Sequence, residues 1–424
     1  MSKSHRVRPF WKGEREGDSM SRPARRHARK PRYNGRSAMT AIASTLRSDM
    51  ESTRLHDSLP HPSTLPLAGG GGTTDELTAH YRAILSGTDP GWAAGCRDLN
   101  LVGRGGQGVV FFARREGSDG FALPVALKVF SPEQFRTAEA YTEDMARIAA
   151  VAARVAAVQH ENLVAVHHFS EHRGVRVMRM EWVDGIDLRL VLTPATLERT
   201  RARLGPEHLR FVEDVVLTDG PAQPRIKPGV ATHILRDCLA ALAALHREGI
   251  THGDLKPANV MLKRTGSAKV VDVGSAADLR SAEGRRAWSP LYAAPEVLDG
   301  APVTPQSDLA SLGYVLIEMM AGRSPFEGFV GVSGLIESKR TLEHRLADVL
   351  PHEVVGSDLL VSLCRRLVAA DPEKRFPDAE AADLGRRGAA AFHRQLVKGD
   401  LASEYGNDLR VWLDALAGDG SSHG

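Results

Sequence analysis

Cysteine and aromatic residues are scarce in this sequence, and it has no long apolar run. The three cysteines, Cys96, Cys238 and Cys364, lie far apart in the chain, which excludes a disulfide framework and a cysteine-rich zinc module. Aromatic residues account for 5% of the chain, so its core must be mostly aliphatic. The apolar runs are shorter than the ~18 residues that a membrane-spanning helix needs. We therefore expect a globular protein without a membrane span, and the reducing cytoplasm as its compartment.

Positive charge is concentrated at the N-terminal end. Residues 1–36 contain 12 lysines and arginines against 3 acidic residues, whereas the remainder carries a net negative charge. Residues 1–72 lack hydrophobic periodicity and close with four glycines, so we predict that they are disordered. Such a basic arm would attract nucleic acid, an anionic lipid surface or an acidic partner. A solvated tail, or translation that starts at a later methionine, is the simpler interpretation.

After residue 72, the apolar pattern changes from a short helix to strands and then mainly to helices. Residues 73–96 predict a helical lead-in, with Leu77, Tyr81 and Ile84 on one face. An alanine-rich stretch from about Thr137 to Val158 predicts one long helix among the strands. The strand-like runs are Leu99–Val102, Val109–Arg114, Val125–Phe130, Leu163–Phe169 and Val175–Glu181. Strands followed by helices indicate an α+β fold with two segregated lobes.

Glycines with phosphate-binding spacing join two of these strands. Gly103, Gly105 and Gly108, followed by Val110, read G-x-G-x-x-G-x-V. A dinucleotide-binding fold is disfavoured, because its glycines must open a helix. Between strands, such glycines let backbone amides approach phosphates, although a plain glycine-rich hairpin is the alternative. Lys128, at the end of the next apolar strand, is where a phosphate-pairing ammonium belongs.

A second group of polar residues follows a predicted helix. The run from His252 to Asn259 reads HGDLKPAN, and Asp272 follows 13 residues later. Phosphoryl transfer needs a carboxylate such as Asp254 to accept a hydroxyl proton, and a cation such as Lys256 to offset charge. It also needs oxygen ligands for Mg²⁺, which Asn259 and Asp272 would supply. A polar loop with Asp and Asn in turns is the alternative, and the spacing of the motifs disfavours it.

With these motifs in order, the chain resembles bacterial Hanks-type serine/threonine protein kinases over about residues 97–392. The resemblance implies a bilobal α+β fold with an antiparallel N-lobe sheet and one long helix (97–184) and a mainly helical C-lobe (185–392). Residues 193–228 would be an insertion, and 393–424 a C-terminal helix and tail. The resemblance further implies ATP and Mg²⁺ as cofactors, and serine or threonine hydroxyls of proteins as substrates.

The resemblance assigns roles around the nucleotide. Lys128 would pair with the α- and β-phosphates, and Glu143 would pair with Lys128, with Glu139 one turn earlier as the alternative. Met180 would be the gatekeeper, and Asp187 would reach the ribose. The other expected nucleotide-binding residues are Val102, Gly103, Arg104, Gly105, Gly106, Gln107, Gly108, Val109, Val110, Ala126, Glu181 and Val183. Asp254 would be the catalytic base, Lys256 the phosphate-contacting cation, and Asn259 and Asp272 the Mg²⁺ ligands.

The resemblance also implies three structural contacts. Glu296, in an Ala-Pro-Glu run, would form a buried ion pair with Arg375. Asp308 would anchor the backbone of the catalytic loop. The hydroxyl of Ser289 would contact Asp254 and Lys256.

Three positions depart from the family pattern. Gly253 replaces the arginine that normally pairs with a phosphorylated activation loop, so we expect activity without such phosphorylation. Val273 stands where phenylalanine is usual, and Trp288-Ser289 replaces Gly-Thr.

These departures keep two alternatives open. The first is a pseudokinase, a nucleotide-binding scaffold that transfers little phosphate. The second is a small-molecule phosphotransferase of the aminoglycoside type, which also has a His-Gly-Asp-Leu run. Against the second stand Lys256-Pro257, the Ala-Pro-Glu run and Arg375, which resemble a platform for protein substrates.

Overall fold

The computed structural model describes residues 73–89, 91–280, 288–329, 331–397 and 405–417. The predictions for residues 1–72, which are disorder and a basic arm, concern residues outside this described part.

A five-stranded antiparallel sheet forms the N-terminal lobe, with the strand order β1-β2-β3-β5-β4. Its strands are β1 (Cys96–Gly105), β2 (Gly108–Glu116), β3 (Ala122–Phe130), β4 (Val166–His172) and β5 (Val175–Glu181). The predicted strands are confirmed, except that the fourth begins at Val166. Leu163 instead forms a parallel bridge to Val270 of the other lobe.

Two helices pack on this sheet. In α2 (Ala138–Val155), Thr137 caps the N-terminus, since its side chain accepts a hydrogen bond from the amide of Ala140. The residues that α2 buries are spaced three to four apart, as an amphipathic helix requires: Tyr141, Met145, Ile148, Val151, Ala152 and Val155. The predicted lead-in helix is confirmed as α1 (Thr73–Ser86), whose Leu77, Tyr81 and Ile84 are buried.

The C-terminal lobe is mainly helical. Its helices are α3 (Leu188–Val191), α4 (Pro194–Arg203), α5 (Pro206–Val215), α6 (Pro228–Arg247), α7 (Pro295–Leu298), α8 (Pro305–Ala321), α9 (Gly331–Thr341), α10 (Leu346–Val349), α11 (His352–Val355), α12 (Asp358–Leu367), α13 (Ala379–Leu384), α14 (Ala389–Val397) and α15 (Tyr405–Ala417). Its short strands are β6 (Gly185–Asp187), β7 (Leu217–Thr218), β8 (Arg225–Ile226), β9 (Ile250–Thr251), β10 (Val260–Lys263), β11 (Ala268–Val270) and β12 (Ala277–Asp278). A bilobal α+β fold, as predicted, places a cleft between the sheet and these helices.

Helix α8 is the buried centre of the C-terminal lobe. Thr304 and Ser307 form a reciprocal capping box at its start, and Gly322 ends it in the left-handed conformation. From Ser307 to Ala321, every residue of the helix is buried. A helix buried in this way has little freedom to move, and it holds Asp308 next to the catalytic loop, residues 252–259.

The segment at 193–228 and the C-terminal helix pack together. The indole Nε1 of Trp412 donates to the hydroxyl of Thr200 in α4 (3.2 Å), and Arg203 donates to the carbonyl of Leu416 (2.6 Å). The C-terminal helix is present as α15, and its apolar face is buried. Helix α4 therefore forms part of the surface on which α15 lies.

In the described part of the chain, no helix combines the length and apolarity that crossing a membrane requires.

Candidate active site

A cavity of about 200 Å³ lies between the N-terminal sheet and residues between 258 and 272 of the C-terminal lobe. Its lining consists of Val102, Gly103, Val110, Ala126, Lys128, Val164, Met180, Glu181, Trp182, Val183, Gly185, Ala258, Asn259, Met261, Val271 and Asp272. The wall is mainly apolar, and its titratable and amide groups come from both lobes. A ligand with a flat apolar ring and a charged polyphosphate at one end would match this combination of an apolar wall and polar groups.

The sheet brings several predicted nucleotide-binding residues to this cavity. Ala126 on β3 lies opposite Met180 on β5, and Val110 on β2 lies opposite Lys128. Of the glycine-rich loop, Val102 and Gly103 line the cavity. The other predicted loop residues, Arg104 through Val109, lie outside the lining. Val109 is instead buried in the core of the sheet.

One glycine of the loop is required by close backbone packing. Gly108 has φ +137°, and a Cβ there would lie 2.1 Å from the carbonyl oxygen of Val129. Only glycine allows β2 to approach β3 this closely. The glycine at this position therefore has a structural cause of its own.

Lys128 and Asp272 form an ion pair at the inner end of the cavity. The Lys128 side chain is 5% exposed, whereas that of Asp272 is 37% exposed. Burial raises the pKa of Asp272, but the charge and hydrogen bond of Lys128 outweigh it and lower this pKa to about 2. Asp272 is therefore a carboxylate at neutral pH, with room to bind a cation.

Gln107 is the second partner of Lys128. The Lys128 ammonium donates to Oε1 of Gln107 (2.7 Å), and Nε2 of Gln107 donates to the hydroxyl of Ser275 (2.8 Å). The side chain thus links the glycine-rich loop to the segment after Asp272. Sequence reasoning placed Gln107 at the nucleotide but did not detect this bridge.

The structure does not bring Glu143 to Lys128, which corrects the predicted ion pair. Glu143 is exposed, and so is Glu139. The reason is the orientation of α2: Tyr141 and Met145 are buried, and a residue two positions away lies about 200° around the helix. Among the described residues, the hydrogen-bond partners of Lys128 are Gln107 and Asp272.

Arginines join α2 to the segment that follows Asp272. Arg147 pairs with Asp144 within the helix and donates to the carbonyl of Ala276 (3.3 Å). Arg154 pairs with Asp278 (2.5 Å). These contacts connect α2 to the other lobe without an α2 carboxylate at Lys128.

The catalytic run forms a compact cluster. Lys256 donates to Oδ2 of Asp254 (2.7 Å) and to the hydroxyl of Ser289 (2.8 Å). The amide of Ser289 donates to Oδ1 of Asp254 (2.9 Å), and Nδ2 of Asn259 donates to the Asp254 carbonyl (2.7 Å). The predicted contact of the Ser289 hydroxyl is found with Lys256, whereas Asp254 is contacted by the backbone amide of Ser289 and not by its hydroxyl.

Asn259 and Asp272 have the atoms that a divalent cation needs. Because Nδ2 of Asn259 is used by Asp254, its oxygen is the atom left to face the cavity. Both residues line the cavity, and Asp272 adds a charged oxygen. An amide oxygen and a carboxylate fit Mg²⁺, which prefers hard oxygen ligands.

Asp308 holds the catalytic loop by its backbone. Its carboxylate accepts from the amides of His252 (2.8 Å) and Gly253 (2.9 Å), and His246 donates to it (3.0 Å). The side chain is 1% exposed, so these are buried, charge-assisted hydrogen bonds. The predicted anchor is confirmed.

Gly253 occupies a position that disfavours a side chain. Its φ is +78°, and a Cβ would lie 2.8 Å from the carbonyl oxygen of Ser275. The departure from arginine at this position therefore suits the local backbone.

The segment after Ser289 is anchored by ionic and polar contacts. Arg375, whose side chain is fully buried, makes a bidentate pair with Glu296 at 2.7 and 2.8 Å, as predicted. Tyr292 donates to Oε2 of Glu318 (2.7 Å). Oε1 of Glu318 accepts from Gln223 (3.2 Å), which belongs to the segment at 193–228.

Asp187 lies outside the cavity lining, and its expected ribose contact stays a prediction. Its side chain caps α3 by accepting from the amide of Leu190 (3.0 Å) and is 3% exposed. The spacing of an Asp three residues before that amide is an N-cap signal that sequence reasoning overlooked.

Several lining residues were not predicted. They are Val164, Trp182, Gly185, Ala258, Met261 and Val271. Met261 belongs to β10, where alternate residues point to the same face, and Val271 directly follows the paired strand β11. The alternation after Asn259 is the signal that would have identified Met261.

Comparison with known families matches residues 96–383 to the protein kinase domain. Among curated proteins, serine/threonine-protein kinase PknB of Mycobacterium leprae is 32% identical over 291 residues, covering 66% of this chain and 40% of that protein. PknB of Mycobacterium tuberculosis is 31% identical over 300 residues, covering 68% and 42%. PknJ of the same species is 29% identical over 311 residues, covering 71% and 46%. The chain thus spans less than half the length of these relatives.

Proposed function

Since this chain belongs to the protein kinase domain family, as its resemblance to bacterial Hanks-type kinases indicated, we propose that it phosphorylates serine and threonine residues of proteins, with ATP as phosphoryl donor. The observation that carries the proposal is the cluster of Asp254, Lys256 and Ser289 beside the cavity that Lys128 and Asp272 close.

Asp254 is the proposed base. Its two carboxylate oxygens are oriented by Lys256 and by the Ser289 amide, so the side chain is preorganised to position a substrate hydroxyl and accept its proton. Lys256 would offset negative charge on the transferred group, since its ammonium lies 2.7 Å from Asp254. A lysine at this position resembles serine/threonine rather than tyrosine kinases.

Lys128, Asn259 and Asp272 are the proposed contacts of Mg·ATP. Asn259 and Asp272 would hold the cation, which supplies charge neutralisation at the phosphates when bound. Asp272 and Gln107 hold the buried side chain of Lys128 in place. It would therefore pair with phosphate oxygens at little cost in side-chain entropy. The apolar wall around Ala126 and Val110 would receive the adenine.

A protein substrate is favoured over a small molecule by the segment that follows Ser289. The buried Glu296–Arg375 pair and the Tyr292–Glu318 hydrogen bond make that segment a fixed surface beside Asp254. A fixed surface of this kind suits an extended polypeptide.

We also propose that activity does not require phosphorylation of the activation loop. The position before Asp254 is Gly253, which has no guanidinium to pair with a phosphate. Ser281→Ala, in a segment outside the described residues, is expected to keep wild-type activity. A loss of activity that a phosphomimetic Ser281→Glu restores would contradict this.

The test of the proposed function is transfer of labelled γ-phosphate from Mg·ATP to the protein itself and to dephosphorylated casein. Asp254→Asn is the test variant, and Asp119→Asn, at an exposed position in a loop, is the matched control. We expect phosphoserine or phosphothreonine with the wild type and the control, and at least a thousandfold loss with Asp254→Asn.

Two outcomes would overturn the proposal. Mg·ATP binding, seen as a melting-temperature shift, without transfer by the wild type would identify a nucleotide-binding scaffold. Transfer to an aminoglycoside but not to protein would identify a small-molecule phosphotransferase.

A further inference from the structure

A buried lysine that the proposed mechanism does not use lies in α9. The Lys339 side chain belongs to the core, with 0% of the residue exposed. Burial lowers the pKa of its ammonium well below the usual value. Within the described part of the chain, no carboxylate lies at ion-pair distance from Lys339. Burying an ammonium costs several kcal/mol in general, so stability alone does not explain this residue.

Lys339 contacts a backbone carbonyl and two aromatic rings. Its Nζ donates to the carbonyl oxygen of Leu291 at 2.7 Å. It lies 4.1 Å from the ring centroid of Tyr314 and 4.0 Å from that of Phe326. The two rings meet edge to face, with their centroids 4.9 Å apart. The two rings thus lie beside the amine, and the Leu291 carbonyl accepts its hydrogen bond.

That acceptor lies in the segment beside the catalytic loop. Leu291 is two residues from Ser289, which contacts Asp254 and Lys256, and it precedes Tyr292, which donates to Glu318. Tyr314 and Glu318 lie one turn apart on the rigid helix α8. Residues 289–292 are therefore anchored to the catalytic loop, to α8 and to α9.

We propose that Lys339 is a positioning residue for the protein substrate: by holding the Leu291 carbonyl, it sets the conformation of residues 289–292 against which the polypeptide lies. The proposal rests on the proposed kinase function. Lys339 is absent from the cavity lining, so its effect falls on the protein substrate and not on the nucleotide.

The test uses Lys339→Met, which keeps the length of the side chain and removes its donors. We expect the KM for dephosphorylated casein to rise about tenfold and the KM for ATP to stay within about twofold, because a hydrogen bond from the amine is lost only on the substrate side. Lys374→Met, at an exposed position, is the matched control and is expected to leave both constants unchanged. A lower kcat with both KM values unchanged would indicate a defect of folding alone and would overturn the role in substrate positioning.

A second measurement does not depend on activity. The amides of Tyr292 and Ala293 both donate to the Ser289 carbonyl at 2.9 Å. In Lys339→Met we expect faster amide hydrogen exchange at these residues than in the wild type or in Lys374→Met. Should Lys339→Met fail to fold, Lys339→Gln serves in both measurements, with the same direction expected.

The outcomes separate this proposal from the proposed function. A wild type that transfers no phosphate contradicts the kinase proposal, whereas the exchange measurement still decides whether Lys339 anchors the segment. Unchanged exchange at residues 292–293 overturns the anchoring role. Accelerated exchange with an unchanged KM for casein overturns the role in substrate positioning.

Discussion

The two sides of the cleft are built in different ways. On the C-terminal side, buried carboxylates hold backbone amides: Asp308 accepts from His252 and Gly253. On the N-terminal side, the long side chains of Lys128 on β3 and Gln107 in the glycine-rich loop join separate segments of the chain. A loop whose backbone amides are hydrogen-bonded to a buried charge has little conformational freedom, whereas long side chains can change rotamer when a ligand binds. The C-terminal side is thus preformed for chemistry, and the N-terminal side can adjust to a nucleotide.

The largest expected effect comes from removing the anchor on the C-terminal side. Asp308→Ala leaves two buried amides without an acceptor, which we expect to lower the free energy of unfolding by about 4 kcal/mol. Urea denaturation measures this, with Asp358→Ala at an exposed position as the control. A loss below about 1 kcal/mol would mean that the catalytic loop is not held by this carboxylate.

A second effect on the same side concerns the buried ion pair. Glu296→Ala leaves the fully buried guanidinium of Arg375 without its carboxylate, and we expect a loss of about 3 kcal/mol. The double variant Glu296→Ala/Arg375→Leu should recover part of this, because the uncompensated charge is gone. Equal losses in the single and double variants would show that the unpaired charge is not the cause.

A smaller effect is expected where the catalytic loop passes the segment after Asp272. Gly253→Arg should destabilise the fold by about 2 kcal/mol, through its positive φ and the close Ser275 carbonyl. Gly300→Arg is the matched control, since Gly300 has φ +95° and nothing within 4 Å of its would-be Cβ. The difference in the loss of unfolding free energy between Gly253→Arg and this control measures the effect of the close contact. Equal losses would show that the close contact does not destabilise the variant.

The smallest effect is expected on the N-terminal side. Gln107→Ala removes one acceptor of Lys128, and we expect the KM for ATP to rise about fivefold, as a hydrogen bond worth about 1 kcal/mol implies. Glu143→Ala should change this KM by less than about twofold, because Glu143 is exposed. If steady-state kinetics showed a larger rise in the KM for ATP with Glu143→Ala than with Gln107→Ala, Glu143 would pair with Lys128 when nucleotide is bound.

Much of the C-terminal side could be predicted from the sequence. Asp254, Lys256 and Asn259 lie within six residues of one another, and a short loop has few ways to arrange them. The pairs of Asp308 and Glu296 with distant residues required the family resemblance, because sequence separation carries no information about contact.

The N-terminal side was predicted less well, for reasons of orientation. Whether Glu143 faces Lys128 depends on the rotation of α2, and a two-residue difference turns a side chain to the opposite face. On the C-terminal side, Asp187 was assigned to a ligand, although its side chain caps α3 by accepting from the amide of Leu190.

The sequence by itself determined the α+β class, the order of the strands along the chain, and the group of residues for which we propose phosphoryl transfer. Local patterns carry this information, since apolar periodicity and short motifs act within a few residues. Only the tertiary structure decided that Lys128 contacts Gln107 and Asp272 rather than Glu143, and that Lys339 holds the Leu291 carbonyl. These contacts join segments 21 to 144 residues apart, and their geometry depends on how whole elements pack against one another.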